Sequence, residues 1–72
     1  MDNENDRLAR LIRERRRSLG LTQDALADLA GCSQRFVRAL ESGKPGVRLE
    51  KFLDVTRVLG LAIELVPRKS AA

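Results

Sequence analysis

The sequence predicts a mainly α fold: four short helices, the second and third joined by a tight turn as a helix-turn-helix, then one C-terminal strand. Three observations predict it. Apolar residues recur at helical spacing in four segments, which end at Gly20, Gly31, Gly43 and Gly60. Ala27, Gly31, Val37 and Leu40 follow one another at intervals of four, six and three residues. That spacing supplies a small residue where two steeply crossing helices touch and a residue tolerant of positive φ at the corner. It also supplies two apolar residues turned back into the core from the second helix of the pair. Last, Leu61-Ala62-Ile63-Glu64-Leu65-Val66 is an aliphatic run between Gly60 and Pro67, which reads as a strand.

Seventy-two residues make one domain with a marginal core. The division expected is a disordered N-terminus at 1–5, a helical domain at 6–60, the strand at 61–67 and a flexible tail at 68–72. One cysteine excludes an internal disulfide, and the lack of histidine argues against zinc, so no metal or cofactor is expected. Oligomerisation is the support that remains. The net charge of +4 suits an anionic partner. No apolar run approaches the roughly 20 residues of a membrane span. The acidic, polar opening MDNEND is unlike a signal peptide. The expected location is the cytoplasm, which an unpaired Cys32 fits.

In the first helix, Asp6 is the expected cap, the helix runs to about Leu19, and Leu8, Leu11, Ile12 and Leu19 mark its inner face. Residues 7–18 carry six arginines against Glu14. Apart from Arg16, the run Arg13-Glu14-Arg15-Arg16-Arg17 reads as a solvated face. The second helix, about Thr22 to Ala30, takes Thr22 as cap and Ala25, Leu26, Leu29 and Ala30 as apolar face. Its N-terminus can hold a DNA phosphate on free amides, with Gln23 adding a donor; Asp24 there is equally a first-turn acid favoured by the helix dipole. Cys32 has the spacing of a hydrophobic staple to Val37 and reads as a small apolar filler.

The third helix starts at the cap Ser33 and runs to about Ser42, with Phe36, Val37 and Leu40 inward. Its other face presents Ser33, Gln34, Arg35 and Arg38. Gln can bond adenine in two places, Arg can bond guanine in two places, and Ser serves bases or phosphate. These residues cluster in the N-terminal half, the part that enters the major groove in this motif. Gly43-Lys44-Pro45-Gly46 is a loop that leaves Lys44 and Arg48 free to meet phosphates. A fourth helix from about Leu49 to Leu59 turns Leu49, Phe52, Leu53, Thr56 and Leu59 to one side, with Val55 and Val58 adding apolar surface. The strand that follows has no partner strand in the chain and would leave its amides and carbonyls unpaired. Pairing of Leu61, Ala62, Ile63, Glu64, Leu65 and Val66 with the same strand of a second copy would make a two-fold homodimer.

Arg16, Gly20-Leu21-Thr22-Gln23, Leu26-Ala27, Gly31, Ser33, Val37 and Glu41-Ser42-Gly43 together resemble the Cro/C1 (Xre-type) helix-turn-helix family. The resemblance covers about residues 8–60 and implies a four-helix, lambda-repressor-like domain. It implies that Gln23 braces against a phosphate and against Gln34, and that Arg16 pairs with Glu41 as a structural ion pair. Most relatives end in a fifth helix; this chain runs into LAIELVPR, which looks like the HipB-type antitoxins. That narrower resemblance implies a terminal strand that builds the dimer, repression of the protein's own operon and a HipA-type serine/threonine kinase toxin as partner.

The function expected is a homodimeric, sequence-specific repressor on double-stranded DNA with an inverted-repeat operator, acting as antitoxin. Thr22, Gln23, Lys44 and Arg48 would position it on phosphates; Ser33, Gln34, Arg35 and Arg38 would read or frame bases. The rivals are a stand-alone repressor of the same type without a toxin, and a protein-interaction module of the same fold. An enzyme fails on inventory: no histidine, one cysteine, no glycine-rich phosphate loop and no carboxylate pair in a plausible cleft. A membrane-surface helix at residues 7–18 lacks the aromatic residues it would need.

Overall fold

A computed structural model describes residues 3–69. Four helices follow in order: α1 Glu4–Ser18, α2 Gln23–Ala30, α3 Gln34–Glu41 and α4 Leu49–Val58. Each expected helix is present. The first begins earlier than Asp6: Asn3 is its cap, accepting from the Asp6 amide at 2.9 Å while the Asp6 carboxylate faces the Asn3 amide. Asp6 is thus the third residue of a capping box, where it answers one more free amide than a cap alone would. Asn3, Glu4 and Asn5, expected in the loose N-terminus, form that cap and first turn; Met1 and Asp2, and the tail residues 70–72, lie outside the described residues.

The core is Ile12, Leu26, Ala27, Val37, Leu40, Phe52, Val55 and Leu59. Helix α1 is turned from the orientation expected. Its buried stripe is Ala9, Ile12 and Arg16, at helical spacing, while Leu8, Leu11 and Leu19 stay exposed. The rotation follows from Arg16: once its guanidinium goes inside, the stripe must run through positions three and four residues apart from it. In α2, Leu26 and Ala27 are buried and Leu29 is outside. Ala27 is 1% exposed at the crossing with α3, as expected of a residue that lets two backbones approach. In α4 the buried side is Phe52, Val55, Thr56 and Leu59, with Leu49 and Leu53 outward; Thr56 places its hydroxyl on the Leu53 carbonyl at 2.9 Å.

Gly31 closes α2 at φ +68°, and the Cys32 amide then bonds the Ala27 carbonyl at 3.0 Å, the hydrogen bond that turns the chain from α2 into α3. Gly43 has φ +81°, and a Cβ built there would stand 2.6 Å from Asp6 Oδ1. Gly43→Ala is therefore expected to lower stability by about 1–2 kcal/mol, from the left-handed conformation plus displacement of Asp6 from its capping box, measured by urea unfolding. A loss below about 0.5 kcal/mol would mean that the loop relaxes.

Among the described residues there is no strand. The strand expected at Leu61–Val66 appears as an irregular segment from Leu61 to Lys69. A strand exists only as part of a ladder, and one chain offers this segment no second strand. Leu61 is half-buried against the core, its amide on the Thr56 carbonyl at 2.9 Å. Leu65 is 96% exposed. Leu61, Ala62 and Ile63 form one wall of an apolar groove of about 420 Å³, with Leu8, Leu11 and Phe52 opposite. No helix among the described residues is long and apolar enough to cross a membrane.

Candidate nucleic-acid interface

The site is built from two helix starts and one loop. Thr22 caps α2 and accepts from the Ala25 amide at 3.0 Å; Ser33 caps α3 and accepts from the Phe36 amide at 3.0 Å. Both hydroxyls are thus occupied as acceptors, and each helix still turns first-turn amides outward. Beyond the cap, α3 presents Gln34, Arg35 and Arg38 to solvent while Val37 and Leu40 hold it to the core. The Arg38 guanidinium reaches back one turn to Gln34 Oε1 at 3.3 Å and across to the Asp24 carboxylate of α2 at 4.0 Å. The loop after α3 brings Lys44 and Arg48 beside Arg35, around an open groove of about 300 Å³. Arg48 stands 4.0 Å from Glu50, with both side chains well exposed. Of the eight residues expected at the interface, Ser33, Arg35, Lys44 and Arg48 share this groove; Gln34 and Arg38 adjoin it on α3; Thr22 and Gln23 lie at the start of α2.

Beneath the surface a polar network fixes α3. The Arg16 guanidinium meets Glu41 as a fork, Nε to Oε2 at 2.6 Å and Nη2 to Oε1 at 3.0 Å, and its Nη1 donates to the Leu21 carbonyl at 2.8 Å. One side chain therefore ties the end of α1, the entry to α2 and the end of α3. Gln23 Nε2 also donates to Glu41 Oε1, at 3.1 Å. Burial pushes the Glu41 carboxyl up, but the hydrogen bonds from Arg16 and Gln23, with the charges of Arg16 and Arg13, outweigh it and hold it below its ordinary value. The hydrogen bond to Glu41, opposed by burial, raises Arg16. Burial raises the Cys32 thiol, with Lys51 opposing and Asp54 assisting, a shift that favours the thiol over the thiolate.

Two arginines of α1 do more than face solvent. Arg13 Nη1 donates to the Glu41 carbonyl at 3.1 Å, and Arg15 Nε donates to the Leu59 carbonyl at 2.8 Å. Each places a cation on the open carbonyl end of another helix, α3 or α4. Sequence reasoning missed both, because partners 28 and 44 residues away leave no local spacing to read.

A family profile described as a helix-turn-helix domain matches residues 7–68. The chain belongs to this helix-turn-helix family. It is 41% identical over 56 residues to the uncharacterized HTH-type transcriptional regulator y4mF of Sinorhizobium fredii, covering 78% of this chain and 74% of that protein. It is 42% identical over 50 residues to an uncharacterized HTH-type transcriptional regulator of Methanothermobacter thermautotrophicus, covering 69% and 72%. Among solved structures, a chain of the HipA-HipB-O2-O3 complex superposes with a TM-score of 0.83 at 25% identity, covering 96% of this chain and 97% of that one. A chain of the HipB-O4 20mer complex matches with the same figures.

Within this helix-turn-helix, the ion pair of Arg16 and Glu41 stands as the resemblance implied. The brace between Gln23 and Gln34 does not: Gln23 turns inward to Glu41, and Gln34 spends its oxygen on Arg38. The reason is electrostatic. A carboxylate accepts more strongly than a neutral amide, and a guanidinium donates more strongly than one.

Proposed function

We propose that this protein is a homodimeric, sequence-specific DNA-binding repressor that serves as the antitoxin of a HipA-type serine/threonine kinase toxin and represses its own operon. One observation carries the DNA reading. Gln34, Arg35 and Arg38 stand exposed on a helix locked from behind by the core and by Arg16–Glu41, with Lys44 and Arg48 beside them where a phosphate backbone would run. The antitoxin reading rests on the likeness to chains of HipB complexes, one of which also contains HipA.

Two copies are the natural reader of an inverted repeat, with one recognition helix per half-site about one helical turn apart or a multiple of it. The exposed segment Leu61 to Val66 and the apolar groove beside it support a second copy as the cover: pairing the strands would satisfy their backbone groups and bury Leu65. A protein acting in this way works where the chromosome is, in the cytoplasm and with the nucleoid when bound.

Arg35→Ala is expected to lose about 1–3 kcal/mol at the operator and to relax preference at one base pair, while Lys44→Ala weakens all duplexes alike and flattens the salt dependence. Titration of both variants against operator and scrambled duplexes checks this; a uniform loss for Arg35→Ala would move that residue to the backbone. Affinity capture of the tagged protein from its native cell, with mass spectrometry, tests the antitoxin half. A stoichiometric kinase-like protein is the expected result. Recovery of the protein alone, with operator DNA bound, would leave a stand-alone repressor, one kind of the transcriptional regulator that its sequence relatives are named as.

A further inference from the structure

The backbone at both ends of the C-terminal segment limits how two copies can pair. At one end the Leu61 amide is already spent on the Thr56 carbonyl at 2.9 Å, and the Gly60 amide before it on the Arg57 carbonyl at 3.1 Å. At the other end Pro67 has no amide to give. Between these stops lie Ala62, Ile63, Glu64, Leu65 and Val66, with Glu64 midway. Along an antiparallel strand, residues alternate: one turns its amide and carbonyl toward the partner strand, the next turns both away. Leu61 turns its amide back to its own α4, so it is of the second kind. The residues whose backbone faces a partner strand are then Ala62, Glu64 and Val66.

Two-fold symmetry narrows the choice further. An axis perpendicular to the sheet keeps the same face of both strands on one side. Because side chains alternate, the axis must pass between two copies of one residue. Leu61 packs on the core and Ile63 lines the apolar groove, so the inward face is Leu61, Ile63, Leu65 and Pro67. With the axis at Glu64, Leu61 meets Pro67 and Ile63 meets Leu65, and that face is apolar throughout. The two residues without a free amide fall opposite each other, and the backbone groups of Ala62 pair with those of Val66, and Glu64 with Glu64. The neighbouring registers do worse. An axis at Ile63 sets Val66 against Gly60, whose amide is spent, and one at Leu65 sets Lys69 against Leu61 on the apolar face. An axis at Ala62 sets Leu65 against Leu59, whose carbonyl is held by Arg15 at 2.8 Å.

We infer that two copies of this chain pair antiparallel through residues 62–66 in one register, about a two-fold axis that passes between their Glu64 residues. The inference rests on the proposed homodimer and deepens it by fixing which residues meet. Leu65, 96% exposed in the single chain, then lies beside Ile63 of the second copy over the groove. The two Glu64 carboxylates face each other on the outer side, where like charges weaken the pairing.

The test is disulfide trapping of the whole chain in a Cys32→Ala background, with Ala62→Cys, Ile63→Cys, Glu64→Cys or Leu65→Cys introduced one at a time. Circular dichroism checks that each variant is folded, oxidised glutathione is the oxidant, and non-reducing electrophoresis is the readout. Residues paired across the axis have Cα atoms about 5.5 Å apart, within disulfide reach, whereas one position away the two copies stand roughly 8 Å apart. The expected result is a covalent dimer from Glu64→Cys well ahead of the other three. Glu64→Gln, with no cysteine introduced, removes the facing charges and is expected to tighten the dimer by about two- to fivefold in light scattering on dilution. Fastest trapping at 62, 63 or 65, or a Glu64→Gln dimer no tighter than the unaltered one, would overturn the register while leaving a dimer. No trapping at any position in a protein that is dimeric by light scattering would overturn strand pairing too. An unaltered protein that is monomeric would overturn the homodimer reading, and this inference with it.

Discussion

Glu41→Ala is expected to lower the free energy of unfolding by about 3–5 kcal/mol, the cost of leaving one member of a buried pair without its partner. Arg16 would keep its place inside, 8% exposed, with two donors facing a void and only the Leu21 carbonyl still engaged. Gln23 would lose its acceptor as well. A domain of this size holds about 4–11 kcal/mol in all, so the variant should unfold at far lower urea or be largely unfolded without it. Glu41→Gln, which keeps the volume and one acceptor, should fall between. The pH dependence carries the same signature. Because Glu41 is held below its ordinary value, the unfolded chain takes up its proton first. Its contribution is therefore complete above a pH of about 4.5 and is lost as pH falls through the lower folded value. The alanine variant lacks that part of the acid sensitivity. A loss under about 1 kcal/mol would place the pair with ordinary surface ion pairs and remove its structural role.

Leu65→Asp is the second large effect. Leu65 touches little in the single chain, so the fold should be unchanged and the effect should appear only in assembly. Light scattering should show a monomer in place of a dimer, since two carboxylates would face an apolar groove and no ladder could bury them. Binding to a two-half-site operator should then weaken by about 10²–10⁴-fold, because the second half-site contact is no longer held near by the first. Binding to a single half-site should stay as it was. A variant that remains dimeric would rule out the strand as the interface, and one that turns monomeric yet keeps its operator affinity would rule out the two-copy reader.

What the sequence made legible was local. Thr22 and Ser33 are caps because each starts an apolar helical pattern, and Gly31 is the corner because two patterns meet there. The pair Arg16–Glu41 was legible from resemblance, since 25 residues separate its members. The orientation of α1 was not legible. Counting leucines favours Leu8 and Leu11 as the inner face, and only the burial of an arginine reverses that choice. The helix caps made by Arg13 and Arg15 were hidden for the same reason: a run of arginines looks solvated until the carbonyls it reaches are in place. At the interface, sequence named the exposed residues of α3 but not the bond between Gln34 and Arg38. The same guanidinium also stands 4.0 Å from Asp24 of α2, a neighbour that only the folded chain brings there.

Helix α3 also divides its work cleanly between its two sides. Val37, Leu40 and Glu41 carry the scaffold, while Gln34, Arg35 and Arg38 make no bond to the core. Exchanges among the outer three therefore cost the fold little, and they are free to drift together with an operator. Such a surface can be respecified over evolutionary time, or by an engineer, without first restabilising the protein. Gln23 is the exception, because it stands at the outer edge while its amide serves Glu41. A change there would trade recognition against integrity, which makes it the position where retargeting would meet resistance.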